Sequence, residues 1–450
     1  MLRTATATYA TSAEAVIGDT PLVRLNRITA GTRALVLAKL EFLNPGGSIK
    51  DRIAVAMIEH AERAGLLRPG GTIVEPTSGN TGAAIAMVAA IRGYRCILTV
   101  PEKTSAEKIA ALRAYGAEVR VAPPVPADSP ETYTALAARI AREIPGAYMP
   151  NQYANPINPL AHEQITGVEI WEQTAGKITH LVAGIGTGGT ICGIARALKA
   201  RNPGVCIVGV DAMGSIYSGG LPGPYAIEGI GRHYLPATLD LEVIDRIERV
   251  GDREAFVMAR RAAREEGLLA GGSSGAALVA TQRLARELGE DDLVVTILPD
   301  SGRAYLSKIF NDDWMAARQF IGPPATTLGD VLALVGGDDR FVPSTISLRT
   351  AARLMNDRNV DDLAVVDDDC LVGRVGLQTV LDVLERAPHK LDATIGELLG
   401  PPFPLLDRNA TLDDALRTIR GGQSQVVVCD GRLPLAALRA QDLISFFSDH

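Results

Sequence analysis

The sequence predicts an α/β protein with parallel sheets, followed by a smaller C-terminal pair of α/β modules. Three observations carry this. Up to about Met315, short β-branched runs alternate with long Ala-rich helical ones. The short runs are almost wholly apolar, as strands of a sheet covered on both faces must be. Beyond a Gly/Pro break, a helix–strand–turn–strand–helix order occurs twice.

Taken in order, the first signal is "NPGGSIKDR", a turn that delivers Lys50 and Asp51 onto the start of a helix. An acid suits the positive end of a helix, and a lysine does not. Lys50 is therefore either a solvated surface side chain or an amine wanted for chemistry. "TIVEP" reads as a strand, followed by a helix from about Thr81. "RCILTV", a helix from Ser105 and "EVRVA" come next, then "HLVAGIG", the helix "ICGIARALKA", "CIVGVD" and finally "DLVVTILPD". "AARQFIGPPATTLGD" breaks the rhythm at Gly322, Pro323 and Pro324. The predicted organisation is a first domain over 1–318, a linker over 319–336 and a repeated module over 337–450. The repeat period is about 70 residues, far longer than that of a solenoid. Ser344 or Thr345, and Thr411, stand where helix N-caps belong.

Composition narrows the class. The chain has 450 residues, 47% hydrophobic and 22% charged, an ordinary globular balance for two to three domains. The net charge is −7 and no basic run occurs, which argues against a nucleic-acid partner. The apolar stretches are too short to span a bilayer, and the N-terminus lacks a secretory pattern. Five scattered cysteines without a CxxC pair predict a reduced, cytoplasmic protein with no metal site.

Three Gly-rich loops follow strands. The first carries Lys50. The second, "EPTSGNTG" from Glu75 to Gly82, offers N–H groups, hydroxyls and an amide at a helix start, where a carboxylate or phosphate can sit. The bland alternative is a helix capped by Ser78 or Thr81. The third, "GIGTGGT" from Gly184 to Thr190, satisfies G-x-G-x-x-G through Gly184, Gly186 and Gly189, with Asp211 at the next strand's tip. That pattern suits a dinucleotide with Asp211 on its ribose. It suits a small phosphomonoester equally, and no Walker lysine follows. A fourth element, "GGSSG", places Ser273 and Ser274 at another helix start; an N-cap role explains one of them. Together an amine, a carboxylate-holding loop, a phosphate-holding loop and a polar serine suggest pyridoxal phosphate, which needs a lysine for its aldehyde, a phosphate cradle and a partner for its ring nitrogen.

On "NPGGSIKDR", "EPTSGNTG", "NQYANPINPLAH", "GTGGT", "EGIG", "GGSSG" and "LPDSGRAYLSKIFNDDWM", the chain to about Met315 resembles the cystathionine β-synthases of the fold-type II pyridoxal-phosphate enzymes. The remainder resembles a tandem CBS-domain pair. The resemblance implies two open α/β subdomains plus a regulatory module. It implies that Lys50 holds the cofactor covalently and shuttles the Cα proton, and that Asn80 meets the cofactor's 3′ oxygen. Gly186, Thr187, Gly188, Gly189 and Thr190 would hold its phosphate, and Ser273 would face its pyridine nitrogen. A neutral hydroxyl there does not keep that nitrogen protonated, which favours β-elimination over transamination. Thr77, Ser78, Gly79 and Thr81 would grip the substrate carboxylate, with Gln152, Tyr153 and Gly229 on the substrate side.

The implied reaction joins L-serine and L-homocysteine to L-cystathionine and water. Cysteine synthesis from O-acetylserine and sulfide, or β-replacement with another nucleophile, stands as the alternative. Tyr153 after Gln152 favours the first. "SGGLPGPYAIEGIG" resembles the cysteine synthase loop, and Arg232 departs from the aromatic residue that cystathionine β-synthases tend to place after "EGIG". In the C-terminal pair, "GLQTVLD" matches an adenosyl-binding pattern through Thr379 and Asp382. "AALRAQD" keeps Asp442 but has Ala436 and Arg439 in place of the glycine and threonine. The possible ligand is S-adenosylmethionine, AMP or ATP. A homodimer or homotetramer is implied, and no haem is expected.

Overall fold

The alternation of apolar runs and Ala-rich helices builds nine strands and ten helices over the first described part of the chain. A computed structural model describes residues 9–77, 79–102, 104–125, 129–321, 326–335 and 341–448. The chain divides into two compact units, the second formed mainly by residues 323–450.

The strands of the first unit are β1 (Leu22–Arg24), β2 (Leu35–Leu40), β3 (Thr72–Pro76), β4 (Arg95–Pro101), β5 (Glu118–Ala122), β6 (His180–Gly184), β7 (Cys206–Ala212), β8 (Arg246–Val250) and β9 (Leu293–Leu298). They form two sheets, of order β1-β2-β9-β6-β7-β8 and β3-β4-β5. All pairings are parallel except β1 with β2. The helices are α1 (Lys50–Arg63), α2 (Asn80–Arg92), α3 (Ala106–Ala114), α4 (Tyr133–Glu143), α5 (Ile157–Ala161), α6 (Gly167–Gln173), α7 (Gly189–Lys199), α8 (Asp252–Glu265), α9 (Gly272–Ala285) and α10 (Asp312–Ala317). Central β9 is buried at every position, as its unbroken "LVVTIL" requires. The short edge strand β1 and the charged β8 carry no clean apolar signal, whereas β2, "LVLAKL", is apolar but for Lys39. α8 is amphipathic, with Ala255, Phe256, Ala259 and Ala262 buried.

Several helix starts differ from expectation. α2 has Gly79 at its N-cap, and its first turn is held by Thr77, whose Oγ1 accepts the Gly82 N–H at 3.2 Å. Thr81 is not that N-cap residue, and Ser78 lies outside the described residues. Gly271 precedes α9, so neither Ser273 nor Ser274 caps it.

The second unit repeats one plan. α11 (Leu328–Val335) precedes β10 (Phe341–Val342), α12 (Leu348–Arg358), β11 (Asp362–Asp367), β12 (Cys370–Gly376) and α13 (Leu377–Arg386). Then come β13 (Leu405–Asp407), α14 (Leu412–Arg420), β14 (Gln425–Asp430), β15 (Leu433–Arg439) and α15 (Ala440–Ser448). Each module has a three-stranded sheet, one parallel and one antiparallel pairing. Ser347, not Ser344 or Thr345, caps α12. Thr411 caps α14, in a capping box with Asp414.

The stretch 326–335, expected within a linker, belongs to the second module's core. Leu328 and Val331 are fully buried among Leu412, Val426, Leu438 and Leu443. The Leu328 N–H donates to the Ala410 carbonyl at 2.9 Å. The equivalent segment before the second repeat does the reverse. Ile395 is buried in the first module, and its N–H donates to the Ile346 carbonyl at 2.9 Å. "TLGDVL" and "TIGELL" are the matching pieces of this exchange.

Candidate active site

The Lys50 turn is built by close approach. Gly47 has φ +82°, and a Cβ on Gly46 would lie 2.4 Å from Asp51 Oδ1. The Asp51 carboxylate accepts the Gly46 N–H at 2.6 Å, and burial raises its pKa to about 7. The Ile49 N–H donates to the Pro299 carbonyl at 2.8 Å, tying the turn to the end of β9. Behind the turn, Arg52 forks onto Glu41 at 2.7 and 2.8 Å and onto Glu169 at 2.7 Å twice. Lys39 Nζ, fully buried, donates to the Thr20 carbonyl, Glu169 and Gln173. Burial would raise the Glu169 pKa, but Arg52 and Lys39 hold it down to about 2. This network anchors α1 from residues that do not line the cavity.

Lys50 Nζ itself makes no hydrogen bond among the described residues. Burial lowers its pKa to about 8; the Asp300 charge opposes this, and the Arg232 charge assists it. Lys50 lines two hollows. One is a cavity of about 870 Å³ that also receives Thr77, Gly79, Asn80, Thr81, Gln152, Tyr153, Gly229 and Ser273. The other is a small hollow of about 40 Å³, walled by Gly186, Thr187, Gly188 and Thr190 at the start of α7.

The small hollow has the character of an anion cradle. Gly188 has φ +86°, which aims the loop into the helix start, and a Cβ on Gly189 would lie 2.0 Å from Asn158 Oδ1. Thr187 Oγ1 accepts from Asn158 Nδ2 at 3.1 Å and from the Gly189 N–H at 3.3 Å. Thr190 Oγ1 lies 3.2 Å from His162 Nε2. Burial, then the Lys50 and Arg52 charges, depress the His162 pKa well below the usual value. The ring is therefore neutral at pH 7.

On the wider side, Thr81 Oγ1 donates to Gln152 Oε1 at 2.7 Å. Gln152 is placed by Glu75, which accepts the N–H groups of Gln152 at 3.1 Å and Asn151 at 2.7 Å. Burial raises the Glu75 pKa to about 7 against those two bonds. Thr238 Oγ1 lies 2.7 Å from the Thr187 carbonyl and 3.2 Å from that of Tyr153, joining the small hollow to the wall of the larger cavity. Ser273 is buried, its hydroxyl without a partner among the described residues.

Asp300 and Tyr305 are among the cavity residues that sequence reasoning missed. Asp300 Oδ2 accepts from Asn80 Nδ2 at 2.8 Å and from the Tyr305 hydroxyl at 2.7 Å. Its Oδ1 is buried without a partner among the described residues, and burial raises its pKa. Tyr305 lies under Lys108, whose Nζ is 5.0 Å from the ring centroid. Lys108 and Lys308 both pair with Glu228. The "LPDSGRAY" run that follows the last strand was the available signal, since ligands bind at strand carboxyl ends.

The dinucleotide pattern is not borne out. The Asp211 carboxylate is buried and accepts the N–H and hydroxyl of Ser218 at 3.0 and 2.9 Å, so it is not turned to a ribose. Instead the donor set fits an aldehyde-bearing phosphate ester: an unbonded amine of lowered pKa, an N–H-lined hollow, and a free hydroxyl. No metal-type cluster of His, Cys, Asp or Glu occurs among the described residues. No described helix is long and apolar enough to cross a membrane.

In the second unit, Thr379 and Asp382 lie half-buried on α13, and Asp382 Oδ1 accepts from Gln378 Nε2 at 3.1 Å. Asp442 Oδ2 accepts the Arg439 N–H at 2.8 Å and Nε at 3.5 Å.

Residues 13–300 match the family described as pyridoxal-phosphate dependent enzyme, and residues 338–386 match the CBS domain. The chain is 50% identical over 316 residues to the cystathionine beta-synthase of Apis mellifera, spanning 68% of this chain and 62% of that one. It is 50% identical over 417 residues to that of Mus musculus, spanning 88% and 73%. It is 45% identical over 390 residues to that of Dictyostelium discoideum, spanning 83% and 78%. The chain thus spans somewhat less than two thirds of the honeybee relative's length.

Proposed function

The chain belongs to the pyridoxal-phosphate dependent enzyme family, in the branch that holds the cystathionine β-synthases, and we propose that it condenses L-serine with L-homocysteine to L-cystathionine and water. The observation that carries the proposal is the place of Lys50. Its amine, unbonded and with a pKa near 8, is shared by the N-terminal hollow of α7 and the larger substrate cavity.

Bound there, pyridoxal phosphate supplies the electron sink that acidifies Cα and lets the β-substituent leave. The chain's residues do the rest. Lys50 would hold the cofactor through Nζ and, as the free amine, would take the Cα proton at that atom. The proton on Nζ is then available to the departing β-oxygen, which leaves as water. Gly186, Thr187, Gly188, Gly189 and Thr190 hold the phosphate with backbone N–H groups and hydroxyls, aided by the α7 dipole. Asn80 has one amide hydrogen on Asp300 and one left for the cofactor's 3′ oxygen. Ser273, which lines the cavity, would meet the ring nitrogen. Thr77, Gly79 and Thr81, with Ser78 beside them in sequence, hold the donor carboxylate with Gln152. Tyr153 and Gly229 line the acceptor side. No haem enters this reading.

Borohydride reduction and steady-state kinetics test it. Lys50→Ala should keep the fold, lose all borohydride-fixed cofactor and lose at least about 1000-fold in turnover, as removal of a covalent catalyst does. Serine with homocysteine should give the higher kcat/KM. If only O-acetylserine with sulfide turns over, the cysteine synthase alternative replaces this proposal.

For the second unit we propose one adenosyl-type site, at Thr379 and Asp382. The engagement of Asp442 by Arg439 supports one site rather than two. Calorimetry with S-adenosylmethionine, AMP and ATP reads it directly; no heat from any of them would leave the unit a structural module. A cytoplasmic homodimer or homotetramer completes the reading, its stoichiometry measurable by sedimentation.

A further inference from the structure

Arg232 follows "EGIG" and projects into the large cavity. Its guanidinium hydrogen-bonds the Tyr153 hydroxyl and lies 5.2 Å from the centroid of that ring. Nη1 donates to the Gly231 carbonyl at 3.0 Å, and Tyr225 and Tyr234 face the same group. None of these neighbours is a carboxylate.

Neither carboxylate that lines the cavity pairs with Arg232. Glu228 is held by Lys108 and Lys308, and Asp300 holds Asn80 and Tyr305 through Oδ2, its Oδ1 being buried without a partner among the described residues. Among the lining residues, Lys50, Lys108, Arg232 and Lys308 oppose Glu228 and Asp300, four cations against two anions. Arg232 is therefore a half-buried cation, held by tyrosines, with no counter-ion among the described residues. A cation desolvated without a partner is costly unless a ligand supplies the missing charge. A planar guanidinium already fixed by stacking and hydrogen bonds is the donor that recognises carboxylate or phosphate in forked geometry.

We propose that Arg232 determines acceptor specificity by pairing with an anionic group lying beyond the donor's Cβ, namely the carboxylate of an amino-acid thiol. This rests on the β-replacement reading of the site. The donor's own carboxylate has its place in the Thr77–Thr81 loop, so Arg232 is left for the second substrate. Free sulfide brings no such group. A donor whose leaving group is a phosphate would offer the same charge from the other source, and the test separates the two.

Holoenzyme with Arg232→Leu is compared with wild type, with Arg232→Lys as the conservative variant. The preference for homocysteine over 3-mercaptopropylamine, taken as a ratio of kcat/KM, should fall about 10- to 100-fold in the leucine variant, the worth of a hydrogen bond to a charged group. The lysine variant should recover part of it. If the ratio of O-phosphoserine to serine falls instead, the charge Arg232 meets is on the leaving group. Ratios unchanged within threefold for both pairs overturn the proposal. Calorimetric titration of homocysteine, O-phosphoserine and serine into each holoenzyme measures the same discrimination without turnover. A selective loss of affinity for an anion-bearing ligand supports the proposal, and equal affinities reject it. Should wild type turn over none of these substrates, the β-replacement reading fails, and the titration still decides whether Arg232 binds the anion.

Discussion

A lysine amine with a pKa near 8 is about 10% neutral at pH 7, against about 0.04% for an ordinary lysine near 10.4. Only the neutral amine attacks an aldehyde. The rate of cofactor capture by the apoenzyme should therefore rise about tenfold per pH unit below 8 and flatten above it. Stopped-flow absorbance measures this; a rate still climbing beyond pH 9.5 would mean an unperturbed lysine. Another residue-scale consequence concerns the cradle. Gly189→Ala would place a Cβ 2.0 Å from Asn158 Oδ1 and push on the residue that holds Thr187. Overpacking of this kind costs about 1–3 kcal/mol. Cofactor affinity, read by fluorescence titration, should drop by at least tenfold while the circular dichroism spectrum is kept.

At the scale of elements, α1 is held to the rest of the fold through its own Arg52. That side chain is 1% exposed and bridges Glu41, at 0%, with Glu169, at 11%. Removing one partner of a buried pair leaves uncompensated charge, at a cost of about 3–5 kcal/mol. Arg52→Leu should lose stability on that scale in urea titration. The acid limb gives the sign. Glu169 has its pKa lowered from 4.5 to about 2. Its contribution is fully present above the unfolded value and is lost as pH falls through the folded one. A shift of that size is worth roughly 3 kcal/mol, lost between about pH 5 and pH 2. That slope should flatten in the Arg52 variant, and an unchanged slope would show that Glu169 is not held by Arg52.

For the whole molecule, the exchanged segments of the second unit decide where it can be cut. A fragment from 323 carries α11, whose Leu328 and Val331 are fully buried, whereas a fragment from 337, the boundary read from sequence, lacks it. Losing two buried aliphatic side chains removes about 3–6 kcal/mol of burial. The longer fragment should melt cooperatively, and the shorter one should unfold at markedly lower urea or aggregate. Equal midpoints would show that α11 is dispensable to the module.

Much of the site was legible because its chemistry is written in short range. A loop that must bend tightly and admit an anion needs glycines and hydroxyls side by side, so "NPGGS", "TSGNTG" and "GTGGT" announce themselves. The parallel sheets were legible for a like reason, since strands covered on both faces are apolar throughout. What sequence alone did not decide are relations between distant residues. Lys39 interrupts β2 as a charge, and only the fold shows it buried against Glu169, 130 positions away. Asp300 acquires its meaning from Asn80, 220 positions earlier. Arg232 reads as a departure after "EGIG" until the cavity shows tyrosines around it and no carboxylate paired with it among the described residues. α11 reads as linker because its partner surface lies beyond Thr411. In each case the deciding energy is desolvation of a charge or an apolar face. That energy depends on which segments the crossovers bring together, which no local window of sequence contains.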